Sequence, residues 1–312
     1  MKIIDTILQS AHFDNKPPVL LDIGASGEIN AKWKPIAKYS ICIAFDADER
    51  EFQITEQVNK SYKKLISINR IVTVDSVSKT DFYLTNSPFC SSLLEPDLDK
   101  LTPWLFRPLF EISNVTKLPA ITLTDALRDT GISYVDWFKT DTQGTDLRIY
   151  LSLPPAIKSC LLATEFEPGI MDAYKGEDKL HMIMAAMSQQ GYWLSSMKVK
   201  GTQRLHIRYA HELGDFVSQR VVKTSPCWAE ICYLKQESAD ERSLLLLYVF
   251  AILEKQYGFA LEIADHALQL FEDSLFKDCK NEMLKKIRLE KNKIPLVLIK
   301  RKFNKLFKHI ND

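Results

Sequence analysis

The chain has 312 residues, a formal net charge of +1, 46% hydrophobic and 26% charged residues, which suits a globular protein with a core of normal size and excludes low-complexity and collagen-like chains. Six scattered cysteines form no C-x-x-C pair and read as reduced, buried thiols of a cytoplasmic protein. The start MKIIDTILQSAHFDN lacks the apolar stretch of a signal peptide, and the longest apolar run, Leu244 to Leu253, is about half a membrane span.

From about residue 18 to residue 235, short β-rich runs alternate with helical patterns, which predicts an α/β layered fold. Val19–Ile23 (VLLDI) reads as a buried parallel strand followed by glycine, and Ile41–Phe45 (ICIAF) as a second, running into Asp46 and Asp48. Leu65–Val74 predicts a third strand, with Thr80–Leu84 paired to it across a Ser/Lys turn. Residues 86–104 read as irregular. Thr124 then predicts a helix cap, with Gly131 closing the helix. Tyr134–Thr140 predicts a strand ending at Asp141, a short helix follows Gly144, and Ser159–Phe166 predicts the next strand. Residues 177–190 form a helical pattern closed by Gly191, and Tyr192–Val199 and Trp228–Leu234 read as final antiparallel edge strands.

The pattern changes after about residue 238, which sets the expected domains at 1–237 and 238–312. Two helical segments broken at Gly258 resemble one tetratricopeptide hairpin; arrays of that kind need about three repeats, so this hairpin is expected to pack on the α/β domain. Lys285 to Lys308 carries ten Lys/Arg against one acid, Glu290. Within residues 294–310, Leu296, Ile299, Phe303, Leu306, Phe307 and Ile310 fall at helical spacings, with Lys300, Arg301, Lys305 and Lys308 beside and behind them. A basic amphipathic helix of this type can lie on an anionic membrane, so residues 285–310 are a candidate peripheral contact at the inner membrane face; the alternative is that the stripe docks on the hairpin. Nucleic acid is not an expected partner, because no aromatic–basic recognition motif accompanies the tail.

Four stretches carry chemistry. LLDIGASGE at 20–28 places Asp22 in a strand and Gly24 and Gly27 in the following loop, where glycine lets the backbone turn tightly and approach a ligand. Glu28 stands where dinucleotide binders have a third glycine and would repel a pyrophosphate. FDADE at 45–49 puts Asp46 at a strand tip, about two dozen residues after Asp22, where an acid can accept hydrogen bonds from ribose hydroxyls. DWFKTDTQGTDLRI at 136–149 ends a strand at Asp141, and TEFEPG at 164–169 sets Glu165 and Glu167 two apart on one strand side.

The ordered pieces LLDIGASGE, AFDADE, TDFYLT, CSSLLEPD, LTDAL, VDWFKTDTQGTDL and TEFEP resemble the FkbM family of methyltransferases over roughly residues 18–235. The resemblance implies a class I, Rossmann-like fold with a seven-stranded, mostly parallel sheet, and S-adenosylmethionine as cofactor. It implies methyl transfer to oxygen, on a sugar, glycan or natural-product hydroxyl. It assigns Asp22, Gly24, Ala25 and Gly27 to the methionine-side loop, Asp46 to the ribose, Asp141 and Gln143 to the neighbourhood of the methyl, and Glu165 to the acceptor. FDAD stands where the family commonly has FEP, and the C-terminal third lies outside the resemblance.

A hydroxyl acceptor must lose its proton, which a carboxylate or histidine within reach can take. Asp141 and Glu165 are the first candidates, followed by His181 and His206; Mg²⁺ held by acids such as Asp141 and Glu165 would serve the same end. Ser91 and Ser92, in a segment expected to cover the pocket, and Glu167 are candidate acceptor ligands. Trp104, Trp137 and Trp193 fit core packing better than sugar stacking. Two other readings stand: a non-catalytic Rossmann-like interaction protein working through its helical C-terminal region, and another nucleotide-cofactor enzyme such as one using NAD. Oligomeric state is not readable from the sequence.

Overall fold

The computed structural model describes residues 2–25, 29–45, 57–59 and 61–291. The chain forms two compact units, one of residues 13–238 and one of residues 1–12 with 239–312.

In the first unit the strands are β1 (Val19–Ile23), β2 (Ile41–Phe45), β3 (Gln57–Asn59), β4 (Tyr62–Ile68), β5 (Ile71–Thr73), β6 (Lys79–Thr85), β7 (Ile112–Thr122), β8 (Trp137–Thr140), β9 (Ala163–Phe166), β10 (Tyr192–Gln203) and β11 (Thr224–Lys235). One eight-stranded sheet has the order β10-β11-β9-β8-β1-β2-β4-β3. Strands β9, β8, β1, β2 and β4 are parallel, and β11 runs antiparallel to both β9 and β10. Seven strands with a reversed one next to the edge is the class I methyltransferase layout of the Rossmann-like fold; β3 adds a short antiparallel edge.

The central strands are apolar because both faces are covered, as parallel sheets require. On one face Leu21, Ile23, Phe138, Phe166 and Ile231 pack with Leu123, Leu127, Ile149, Tyr150, Ile183 and Met187, which come from the helices Leu123–Asp129, Asp146–Ser152 and Leu180–Met187. Each such side chain contributes roughly 1.5–3 kcal/mol by leaving water. Trp137 is buried edge-on against Trp33, with centroids 5.8 Å apart, so it belongs to the core. Trp104 is buried too.

Several elements differ from expectation. Asn69 and Arg70 break the predicted 65–74 strand, so β4 joins the main sheet while β5 joins a second sheet of order β5-β7-β6. Strand β6 pairs antiparallel with β7 rather than with the 65–74 run, and β7, largely exposed and carrying Pro119, is not among the expected strands. Strand β11 is no edge: it lies between β9 and β10. The helix at 123–129 is capped by Thr122, whose hydroxyl accepts from the Asp125 amide, rather than by Thr124.

The second unit contains the helices Lys2–Leu8, Glu241–Leu253, Tyr257–Leu270 and Ser274–Lys291. Asp240 caps the second of these through the Ser243 amide, and Leu244 to Ile252 are all buried. The segment read as one helix after Gly258 is interrupted at Phe271–Asp273, and helix resumes at Ser274. The Tyr248 hydroxyl donates to the Cys279 carbonyl, and His12 meets Asp273 at 3.1 Å. Among the described residues no helix is long and apolar enough to cross a membrane. All six cysteines are free. Residues 292–310, most of the basic amphipathic segment, lie outside the described residues.

Candidate active site

The chain leaves β1 toward β2 and β4 on one side and returns to β8 and β9 on the other. The crevice beyond the carboxyl ends of β1 and β8 is therefore a topological switch point, the usual ligand position in open α/β sheets. The Asp141 amide donates to the Ile23 carbonyl at 2.9 Å, joining the two strand ends. Gly24 follows directly with φ 84°, and a Cβ there would lie 2.2 Å from the Asp141 carbonyl oxygen. Only glycine accepts both the left-handed backbone and that contact. The amides of Gly24 and Ala25 both donate to the Phe45 carbonyl, so the glycine loop turns over the end of β2.

A cavity of about 530 Å³ opens at these strand ends, within the usual range for small-molecule sites. Ile23, Gly24, Phe45, Ile71 and Val72 line one part, and Asp141, Gln143 and Glu167 bring polar groups to it. Burial raises the Asp141 carboxyl above its ordinary value, against Lys139 and hydrogen bonds from Glu167 and Gln143. Burial and then the Asp141 charge raise Glu167 as well. Two carboxyls in hydrogen-bond contact cannot both ionise cheaply, so the pair holds a proton near neutrality, with Glu167 donating to Asp141. Gln143, at φ 55°, donates from Nε2 to Asp141 Oδ1 at 2.6 Å. Tyr174 donates to the Cys90 carbonyl at 2.9 Å and reaches Gln143 Oε1 at 3.3 Å. Burial holds the Tyr174 phenol well above its ordinary value and pushes the Cys90 thiol up to about 11, so both remain protonated.

Asp146 ties the two strand-end loops together. Its Oδ1 accepts from Thr140 Oγ1, the Thr142 amide and Thr142 Oγ1, and its Oδ2 accepts from the Glu167 amide at 3.0 Å. Burial raises this carboxyl to about 6.

Two residues earlier on the same strands lies a different charge arrangement. Asp22, Lys139 and Glu165 stand in register across β1, β8 and β9. Lys139 Nζ is 2.7 Å from Asp22 Oδ1, Asp22 Oδ2 accepts from the Asn30 amide, and Lys32 Nζ is 2.8 Å from Glu165 Oε2. Burial by itself would lower the Lys139 ammonium, but Asp22, Asp141 and Glu165 together hold it above the ordinary lysine value.

The expected site residues therefore separate. Asp141, Gln143, Glu167, Gly24 and Ser91 line the cavity. Ala25 is buried beside Gly24 in the loop. Asp22, 1% exposed, does not line the cavity but serves the loop through Asn30 and Lys139. Glu165 is turned to Lys32 and is not part of the lining, so a Mg²⁺ ion bridging Asp141 and Glu165 would have to draw Glu165 from that partner. Ser92 is fully buried, its hydroxyl donating to the Gln143 carbonyl at 2.8 Å and accepting from the Leu94 amide. It fastens the wall rather than facing a ligand, and the Ser91 hydroxyl accepts from the Thr85 amide. His181 is exposed on its helix, and His206 caps the helix Ile207–Leu213; neither lines the cavity. Gly27, Asp46 and Asp48 lie outside the described residues.

Residues 86–104, read as irregular, form a wall together with residues 105–110. The Asp97 amide donates to the Ala173 carbonyl and the Lys175 amide to the Glu95 carbonyl, pinning this wall to the segment after β9. Cys90, Leu101, Phe110, Ala173 and Tyr174 make a second small core beneath it. Tyr174, Glu177, Phe106 and Trp228 line the cavity without any sequence signal. They come from irregular segments and a reversed strand whose approach depends on the fold.

No family model matches the chain, and no curated protein sequence matches it. Among solved structures it is similar to magnesium protoporphyrin IX methyltransferase from Synechocystis PCC 6803, solved with bound SAM. The identity is 8%, the TM-score 0.30, and the match covers 75% of this chain and 78% of that one. A likeness of that degree carries neither activity nor substrate to this chain.

Proposed function

We propose that the protein is an S-adenosylmethionine-dependent O-methyltransferase, related to the FkbM family that its motifs resemble, acting on a sugar, glycan or natural-product hydroxyl. The observation that carries this reading is the cavity at the switch point of a class I sheet, where the Gly24 turn meets the Asp141–Glu167 pair. The lining suits a cationic cofactor: Asp141, Glu167 and Glu177 contribute carboxyls, and Arg70 is the only Lys or Arg among the described lining residues. That balance disfavours the pyrophosphate of NAD. Ile71, Val72 and Phe45 offer an apolar surface for adenine, and Asp46, next after Phe45 in sequence, is assigned the ribose hydroxyls.

When bound, S-adenosylmethionine supplies an electrophilic methyl and departs as the neutral thioether. Asp141 and Glu167 take the proton released by the acceptor hydroxyl, and Gln143 holds Asp141 in position by the hydrogen bond its side-chain amide donates. The apolar lining excludes water from the reacting groups, which strengthens the electrostatic interactions among them. Alignment within such a site can supply about 7–11 kcal/mol of the barrier reduction. Calorimetry with S-adenosylmethionine and S-adenosylhomocysteine tests the reading. Binding of both at one site per chain is expected; binding of NAD instead would transfer the protein to another enzyme class, and binding of none would leave the interaction-protein reading.

A further inference from the structure

The cavity also has an apolar side, to which Phe82, Phe89, Phe106, Leu109, Phe110 and Trp228 contribute. Phe106 lies nearly parallel to Trp228 with centroids 6.2 Å apart, and meets Phe110 edge-on at 5.0 Å. Phe110 in turn meets Tyr174 edge-on at 5.6 Å. The rings thus form a connected aromatic wall held by packing from both β11 and residues 86–110.

Several polar groups of the lining are already engaged by the protein. The Ser91 hydroxyl accepts from the Thr85 amide, and the Tyr174 hydroxyl donates to the Cys90 carbonyl. The Glu177 carboxylate accepts from the Ala173 and Tyr174 amides and pairs with Lys179 at 2.6 Å. A buried hydroxyl left without a partner costs about 1–3 kcal/mol. A sugar would bring several such hydroxyls to a wall with few free partners. At the rim Phe89 is 75% and Leu109 46% exposed. Large apolar side chains lining a cavity mouth and left in water are what an apolar ligand would cover.

Resting on the methyltransferase reading above, we propose that the acceptor is a flat, mainly apolar molecule with one reacting hydroxyl, such as a phenol or fused-ring alcohol, and not a polyhydroxylated sugar. Its ring lies against Phe106, Phe110 and Trp228, and its hydroxyl points to Asp141 and Glu167. This narrows the acceptor to one of the classes that the motifs allow.

The test is binding of 2-naphthol and of methyl α-D-glucopyranoside to the full chain, by calorimetry, with and without S-adenosylhomocysteine. The naphthol is expected to bind at one site, at least ten-fold tighter than the glucoside. Trp228→Ala should weaken the naphthol about ten-fold. Phe89→Ser, at an exposed position that cannot disturb the core, should weaken it about three-fold. Tighter binding of the glucoside, absence of naphthol binding, or unchanged naphthol affinity in both variants would overturn the proposal. Failure of S-adenosylhomocysteine alone to bind would instead overturn the methyltransferase reading, and the naphthol measurement without it would still decide the character of the wall.

Discussion

Lys139 and Glu165 face each other in register on adjacent strands, and Asp141 and Glu167 follow two residues later on each chain segment. The first pair belongs to a ladder in which every charge has an opposite neighbour: Asp22 with Lys139, and Glu165 with Lys32. The second places like charges together under a cavity, with burial raising both carboxyls. Backbone position differs little between the two sets; what differs is the sign of the nearest neighbour. Balanced charges hold the β1 loop and the sheet together. The crowded carboxyls share a proton in a cleft, and shifts of this kind are the basis for proposing the pair as the functional group.

On the proposed mechanism, Asp141→Asn is expected to slow methyl transfer by about 10²–10⁴-fold while S-adenosylhomocysteine affinity changes only a few-fold, because the proposed general base is lost and the cavity shape is kept. Single-turnover rates beside calorimetry check this. Lys139→Met leaves Asp22, 1% exposed, without its cation, and should destabilise the fold by about 3–5 kcal/mol, measured by urea unfolding. A loss below 1 kcal/mol would mean that the ladder is not the structural partner of the pair.

Glu167→Gln sharpens the contrast through pH. The Glu167 carboxyl has its folded value raised from 4.5 to about 8. Protonation is therefore favoured in the folded state, and the stability associated with it is lost as pH rises from about 4.5 to 8. The glutamine variant should lose less stability over that window, read from Tm against pH. In activity, kcat/KM of the wild type should rise with pH through the upper titration of the pair, and Glu167→Gln should lack that limb. Lys32→Met removes a partly exposed partner of Glu165 and should cost the least, up to about 1 kcal/mol. If it equalled Lys139→Met, the two halves of the ladder would be equally buried in effect.

The sequence carried the central strands legibly, since VLLDI, ICIAF and the run into Thr140 are apolar on both faces and end at glycine or acid. The strand-end positions of Asp141, Glu167 and Gly24 were legible for the same reason, since they follow from local pattern, whereas Gln143 is assigned only through the family resemblance. Strand β7 was not legible, because an exposed, alternating strand with a proline reads like loop until β6 pairs with it. Nor could periodicity place β11 between β9 and β10, since strand order is decided by long-range pairing. The same limit separated Glu165 from Glu167: spacing put both on one side of a strand, but the tertiary fold brought Lys32 to one and Asp141 to the other. The aromatic wall of Phe106, Phe110 and Trp228 likewise exists only once residues 86–110 and β11 converge. Local chemistry is written along the chain, whereas the partners that balance Asp22 and Glu165 arrive from more than a hundred residues away.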